Sequence, residues 1–472
     1  MPTPHWLVSG WIDLWPWDTP IYLRIEYLNG LAGIALLSVV YAWIRRNWRT
    51  TRRLARHATF LLGASYGIWA YSTLVEVYLL PLFALMMSLW CLTPRQPRLK
   101  HVLGTPFWLA IAIVLHQSHI LFLPVLLLGW YWQGKRGYGI WQRVVGVNIG
   151  ILALLVGGSY LAVMLGPMEL RSAGEMLHWL IGYGHDGGYW ATISWRWPLE
   201  PLVGFGRSLI GGQWLYALPG MERLTGGFHL SDEAFLVRSL SQGDVFLLLG
   251  LTGILILILS YHLMGLRTRY RMASDHQRML YRLLGAGFLS YSLFFLFWVP
   301  INPEFWLPQL LFFWLILART GPWPHRRYAY FRKRWFMIPL LCLLWINDMG
   351  SMRHLRYWEN DLYYLQTQEL AMSAGPNDLI ILPQRWIQAE YVRKYSGAEV
   401  LIWDEWRGKY ESDSLAITTF QARLNQAMDA YQQVVIAPGV IPAETTPGWW
   451  SIYVDQWQKI PRPSGTQYVL VK

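Results

Sequence analysis

The sequence predicts a mainly α, polytopic membrane protein of about ten transmembrane helices, with a small extracytoplasmic α/β domain at the C-terminus. Three observations carry that prediction. Of the 472 residues, 54% are hydrophobic and only 14% charged, a balance that ordinary soluble chains do not show. Apolar segments recur along the first three quarters of the chain, and the basic residues gather in the short stretches between some of them. The last 126 positions then change character, with charges and strand-length apolar runs replacing the long apolar segments.

The apolar segments lie near 27–44, 59–75, 77–93, 102–117, 119–132, 144–165, 243–264, 283–299, 305–318 and 335–346. Several are shorter than the ~20 residues a full crossing prefers. Loops 45–58, 94–101, 133–143, 265–282 and 318–335 hold 23 of the 40 Lys and Arg and one acidic residue, Asp275. Positive charge is retained on the cytoplasmic side, so these loops are expected there. The alternation then puts the turns around Glu76, "HQSH" (116–119) and "INPEF" (301–305) on the outer face. The amino terminus, segment 166–242 and everything after Asn347 join them. The expected domains are a membrane region, 1–346, with 166–242 as a large extracytoplasmic loop, and an extracytoplasmic domain, 347–472.

In the tail, "DLIIL", "EVLIW", "QVVIA" and "YVLVK" alternate with helix-like stretches, among 14 acidic and 11 basic residues, which reads as a small α/β domain. In 166–242, "EMLHWLIGYG" and "PLVGFGRSLI" are too short and too broken by Gly and Pro to span. They are expected as amphipathic pieces at the outer interface, where Trp179, Trp190, Trp195 and Trp197 would sit comfortably. The net charge of +12 is dispersed among topology signals, so nucleic acid is excluded as a partner. Cys91 and Cys342 both lie in apolar runs, which gives no disulfide framework.

Polar residues in the outward turns are the candidates for chemistry. Glu76 stands between two apolar runs; an ionised carboxylate at membrane depth costs several kcal/mol, but at a turn it can reach water or a cavity. It either marks a solvated turn or lines the rim of an outward cavity. His116 and His119 share a helical face if the helix continues through them, or sit at opposite lips of a turn if it stops. Their spacing alone makes a weak metal site, since a third ligand is wanting; phosphate contact, acid/base work and plain interfacial hydrogen bonding are the other readings. Asn302 and Glu304 belong to a proline-flanked turn on the same face. Arg171, Arg196 and Arg207 are outward cations able to meet an anionic headgroup, or simply to snorkel. "GYGHDGGYW" (182–190) has glycines without the strand-to-helix setting of a phosphate loop.

The order of "PHWLVSGWI", "EYLNGLAGIALLSVVYAWIRR", "YGIWAYSTLVEVYLLPLFAL" and "VLHQSHILFLPVLLLGW" resembles the protein O-mannosyltransferase-like membrane proteins of the GT-C glycosyltransferase class. The pieces that carry it are Glu76-Val77-Tyr78 with Leu and Phe following to Phe83, and His119 with Pro124 five residues on. The resemblance covers roughly the first 165 residues; beyond them it rests on topology and on the outward terminal domain. It implies transfer of a sugar from a polyprenyl-phosphate-linked donor to an acceptor on the extracytoplasmic side. Glu76 would be a cavity carboxylate at the catalytic centre without necessarily being the base. Tyr78, His116, His119, Arg171, Asn302 and Glu304 would contact substrate. Members of the family open with one further transmembrane helix and an outward acidic residue, which this sequence is expected to lack; Asp13 and Asp18 are the nearest acids.

The expectation is therefore a multi-pass enzyme of the plasma (inner) membrane, with the donor lipid and the bilayer as partners and the acceptor, whether protein, lipid or glycan, unspecified. A divalent metal remains an open cofactor, because no full ligand set can be read. Two other classes stay in play: a transporter or flippase of a lipid-linked saccharide, which also needs an intramembrane acid, and a noncatalytic membrane scaffold. Against transport, no paired, broken halves are visible.

Overall fold

Helix α1 (Ile21–Trp48) has 28 residues, with Arg45 and Arg46 in its last turn, where cations complement the helix dipole. A computed structural model of the chain describes residues 11, 21–74, 76, 78–134, 141–186, 190–191, 193–194, 197–218, 231–319, 337–383, 386–407, 409, 413–430, 433–437, 458–462 and 465–471. Asp13, Asp18, Trp195 and Arg196 lie outside those residues. The chain divides into two units, one of 1–212 with 242–352 and one of 213–241 with 353–472.

In the first unit α1 is followed by α2 (Arg52–Ala64), α3 (Tyr66–Tyr71), α4 (Leu79–Leu92), α5 (Leu99–Leu115), α6 (Leu123–Gly134), α7 (Trp141–Leu152) and α8 (Gly158–Leu165). Then come α9 (Ala173–Asp186), α10 (Glu200–Ile210), α11 (Gln242–Met264), α12 (Leu266–Arg271), α13 (Asp275–Phe295), α14 (Leu307–Leu317) and α15 (Met337–Asn347). Among the described residues, helix covers the greater part of each apolar segment expected from the sequence. By length and composition, three stretches qualify to cross a membrane: 23–48, 143–165 and 242–271; shorter apolar helices cover 79–92, 99–115 and 303–317. These helices turn large apolar side chains outward, as at Ile34, Leu154, Leu257 and Met264, which hydrocarbon accepts and water does not. The protein is an integral membrane protein.

Local chemistry sets the breaks. Thr51 caps α2 by accepting from the Leu54 amide, and Ser274 with Gln277 forms a capping box at the start of α13. Between α2 and α3, Ser65 is extended (φ −68°, ψ 137°). The break is held by Asn347, fully buried, whose Nδ2 donates to the Ala64 carbonyl at 2.7 Å and the Leu209 carbonyl at 3.1 Å. Trp314 Nε1 donates to Ser65 Oγ at 2.9 Å. Where helix ends are shielded from water, such side-chain partners replace solvent for the freed carbonyls.

Helix α10 is buried along one face and leaves Leu202 exposed on the other. Pro201, Gly204, Arg207, Ser208 and Leu209 are buried. Gly204 explains why: a Cβ there would collide with the Pro300 carbonyl and with Trp306 Nε1, which donates to that carbonyl at 2.7 Å. Only glycine lets the 300–306 turn come this close. The same turn is latched from the other side, where Ala191 N donates to Phe297 O at 2.8 Å and Trp197 Nε1 to Leu296 O at 2.8 Å.

The second unit contains a five-stranded sheet in the order β2-β1-β3-β5-β4. Its elements are α16 (Leu362–Ser373), β1 (Leu379–Leu382), α17 (Trp386–Ser396), β2 (Glu399–Ile402), α18 (Asp413–Ala430), β3 (Gln433–Ile436), β4 (Gln458–Arg462) and β5 (Gly465–Val471). β1 pairs in parallel with β2 and β3 across helical connections, and β5 pairs antiparallel with β3 and β4. Every residue of β1 is buried, as a central strand covered on both faces requires. Buried Asp378 accepts from Gly375 N at 2.6 Å and from Gln433 N and Nε2, tying the entrance of β1 to β3.

Candidate active site

Three turns of the first unit meet at one ring-lined cleft. Its walls are Tyr78, Leu82, His116, Ser118, His119, Phe295, Glu304, Phe305, Leu307 and Pro308. Four residues expected from sequence, Tyr78, His116, His119 and Glu304, are among them. The fifth and sixth, Glu76 and Asn302, border it.

The turn bearing Glu76 is set by α1. Asn29, itself buried, donates Nδ2 to the Leu74 carbonyl at 2.7 Å and to the Glu76 carbonyl, and Glu76 N donates to Leu74 O at 2.9 Å. An amide contributed from 45 residues upstream therefore fixes the main chain on both sides of Val75 and leaves the Glu76 side chain unused by the turn.

Helix α5 stops at Leu115, and His116 is extended (φ −153°, ψ 108°) before a 3₁₀ turn over Gln117–Phe122. The two histidines thus take the lips-of-a-turn arrangement. His116 Nδ1 pairs with Ser118 Oγ at 2.7 Å, and buried His119 Nδ1 pairs with the Tyr291 hydroxyl at 2.8 Å. Aromatic contacts run Tyr71–Tyr78 (5.3 Å), Tyr78–His116 (5.3 Å), His116–His119 (5.9 Å) and His119–Tyr291 (5.9 Å) between ring centroids.

The third turn, Pro300 to Trp306, follows Val299 at φ 40°. A β-branched residue in the left-handed region costs energy that the surroundings must supply, and such positions cluster at functional turns. Asn302 Nδ2 donates to Glu304 Oε1 at 2.9 Å, and the phenols of Tyr78 and Tyr71 hydrogen-bond the same carboxylate. Burial raises the Glu304 carboxyl above its ordinary range, and these three hydrogen bonds oppose the rise. Glu76 has no such compensation. Burial pushes it up to about 7, and the neighbouring Glu304 charge adds to the shift.

Arg171 is exposed; its backbone N–H donates to Glu175 Oε2 at 2.9 Å, and it is not among the residues lining the cleft. Arg207 reaches the third turn instead: buried on α10, its Nη1 donates to the Ile301 carbonyl at 3.3 Å, one residue from Asn302. Among the described residues no group of three His, Cys, Asp or Glu is placed to hold a metal. Sequence reasoning missed Asn29, Tyr71, Ser118 and Tyr291. Asn29 carried a signal, a lone amide inside an apolar segment; the others looked like ordinary turn or core residues.

No family model and no curated protein sequence matches the chain. Among solved structures, the chain is similar to ArnT from Cupriavidus metallidurans bound to undecaprenyl phosphate, at 12% identity and a TM-score of 0.43 over 99% of this chain and 87% of that one. It is also similar to the Archaeoglobus fulgidus oligosaccharyltransferase in its apo form, at 11% identity and a TM-score of 0.47, over 92% of this chain and 61% of that one. A complex of the latter with Zn and sulfate gives 12% identity and a TM-score of 0.48.

Proposed function

We propose that the protein is a GT-C-type glycosyltransferase that moves a sugar from a polyprenyl-phosphate donor to a hydroxyl-bearing acceptor at the outer face of the membrane, with the C-terminal α/β unit also on that side. The observation that carries this reading is the pairing of two half-buried carboxylates of unequal environment, Glu304 in the wall of the cleft and Glu76 beside it. Environments that push two acids apart assign them different tasks. Glu304, hydrogen-bonded by Tyr71, Tyr78 and Asn302, orients and positions; Glu76, with its affinity for a proton near neutrality, accepts one.

In the step proposed, the acceptor oxygen attacks the anomeric carbon and the bond from that carbon to the phosphate oxygen breaks. The electron pair leaves with the polyprenyl phosphate, and the acceptor's proton passes to Glu76. Arg207 and the imidazoles of His116 and His119 are the donors available to the departing phosphate, a role suited to groups preorganised away from bulk water. The ring-lined wall offers the sugar an amphipathic surface. Arg171 would act further out, as a first contact for the lipid headgroup.

The test is release of polyprenyl phosphate from a labelled lipid-linked sugar in membranes holding the protein. Release that is lost in Glu76→Gln at unchanged protein level supports the reading. Undiminished release by that variant removes Glu76 from the chemistry, and movement of the intact lipid-linked sugar across liposomes without transfer would make the protein a transporter.

A further inference from the structure

Two neighbouring residues of α13 hold the turn that carries His119. Ser290 Oγ donates to the Leu121 carbonyl at 2.6 Å, and the Tyr291 hydroxyl meets His119 Nδ1 at 2.8 Å, across 172 positions of sequence. The Tyr291 ring is boxed in at that contact. It packs on Phe295 (6.4 Å) and Phe312 (6.0 Å between ring centroids), and Phe312 in turn stacks at 6.2 Å on Phe122, the last residue of the same turn. Gly287 permits this, since a Cβ there would stand 2.9 Å from the Phe312 ring.

The direction of the Tyr291–His119 hydrogen bond follows from what else the phenol can reach. Tyr291 is 0% exposed, so no water has room against it, and among the described residues His119 is its one hydrogen-bond partner. If the imidazole carried a proton on Nδ1, as the other neutral tautomer or as imidazolium, Nδ1–H would donate to the phenol oxygen and the phenol proton would be left without an acceptor. A buried donor left unmet costs ~1–3 kcal/mol. The phenol therefore donates, Nδ1 accepts, and the imidazole proton sits on Nε2. His116 is under no such constraint. Its Nδ1 pairs with Ser118 Oγ, but both residues are half-buried in the wall of the cleft, where the serine hydroxyl can turn to whatever fills it.

We propose that Tyr291 is a positioning residue that locks His119 as the neutral Nε2–H tautomer, so that the cleft meets an anionic oxygen with a fixed imidazole donor and not with an imidazole base. Assigning that oxygen to the phosphate of a polyprenyl-phosphate donor rests on the transfer reading above; the lock itself rests on the packing. His119 lines the cleft, and with Nδ1 occupied, Nε2 is the nitrogen left to serve it. A donor fixed in advance needs no reorganisation when charge grows on the departing phosphate oxygen. The lock also removes His119 as a rival to Glu76 for the acceptor's proton.

The experiment is nitrogen NMR of the full-length protein, isotopically labelled at histidine and reconstituted in membranes, with the His119 signals identified by their loss in His119→Gln. A protonated Nε2 and an unprotonated Nδ1 are expected, with the Nε2–H resonance moving on addition of polyprenyl phosphate. Tyr291→Phe keeps the packed ring and deletes the hydroxyl. It is expected to give a mixture of tautomers and, in the release assay, to lower turnover about tenfold with little change in KM. In a His119→Gln background, where an amide N–H replaces Nε2–H and has no tautomer, Tyr291→Phe is expected to lower turnover no further. Any of four results overturns the proposal: His119 of the unaltered chain protonated on Nδ1, an Nε2–H resonance indifferent to polyprenyl phosphate, a Tyr291→Phe spectrum that keeps Nε2–H alone, or a full second loss in the His119→Gln background. The first two need no Tyr291 variant and decide the matter should Tyr291→Phe fail to fold. The expected tautomer and phosphate response in a protein that transfers no sugar would sink the transfer reading and leave the lock standing, whereas transfer with His119 protonated on Nδ1 would do the reverse.

Discussion

The two ends of α14 solve opposite problems with the same helix. At Leu307 the helix starts from a turn in which Tyr71, Tyr78 and Asn302 hydrogen-bond the Glu304 carboxylate, while Glu76 is raised by burial and by the Glu304 charge. At Leu317 it ends among the apolar side chains of Ala58, Leu61 and Leu259, with Arg319 two residues on in the chain. Charge of each sign has been segregated by about three turns of helix. Polar groups that share a bilayer-sized protein without sharing a site can keep separate protonation and separate ligands, since interactions over such distances are weak beside those within either cluster.

The comparison breaks most visibly at Glu76. Glu76→Gln keeps size and polarity but cannot take a proton, so transfer is expected to fall on the order of 10²–10⁴-fold, read as initial rate of polyprenyl phosphate release, with thermal stability unchanged or raised. Gly204→Ala comes next: its methyl group drives the Pro300–Trp306 turn off α10, and a loss of ~1–3 kcal/mol in stability is expected with a matching fall in activity.

Asn29→Ala should loosen the Glu76 turn without touching substrate, costing ~1–3 kcal/mol for the carbonyls left unpaired and lowering the turnover number more than it raises KM. Acidity sharpens the same contrast. If Glu76 must be ionised, activity rises through a midpoint near pH 7, and Glu304→Gln, by removing the neighbouring charge, moves that midpoint downward. Stability runs the other way. Glu76 holds its proton up to about pH 7 when folded but releases it at an ordinary 4.5 when unfolded. Its contribution is therefore full below 4.5 and is lost as pH climbs from there through 7, a slope that Glu76→Gln should remove from a plot of melting temperature against pH. The smallest effect is at Val299, where Val299→Gly should relieve the left-handed backbone at a gain of ~1 kcal/mol or less.

Much of this was legible because it rests on local pattern. The apolar segments, the strands in "DLIIL", "EVLIW", "QVVIA" and "YVLVK", and the polar turns all depend on runs of a few residues that composition displays directly. What stayed hidden depends on approach between distant segments. Nothing in "PLVGFGRSLI" says that Gly204 will admit Trp306, which packs the helix against the 300–306 turn and brings Arg207 to the Ile301 carbonyl. Tyr71 and Tyr291 likewise acquire meaning only from their partners, Glu304 and His119.

Because Asn29 grips the turn by main-chain oxygens, position 76 is mechanically silent. A side chain there can be exchanged while the backbone that presents it stays in place. That makes it a position for chemical rewriting: a shorter acid, an amide, or a cysteine later alkylated with carboxylates of different length would each be displayed from one fixed point. A series of that kind would measure how far the proton acceptor must reach, with the main chain that presents it held by Asn29 throughout.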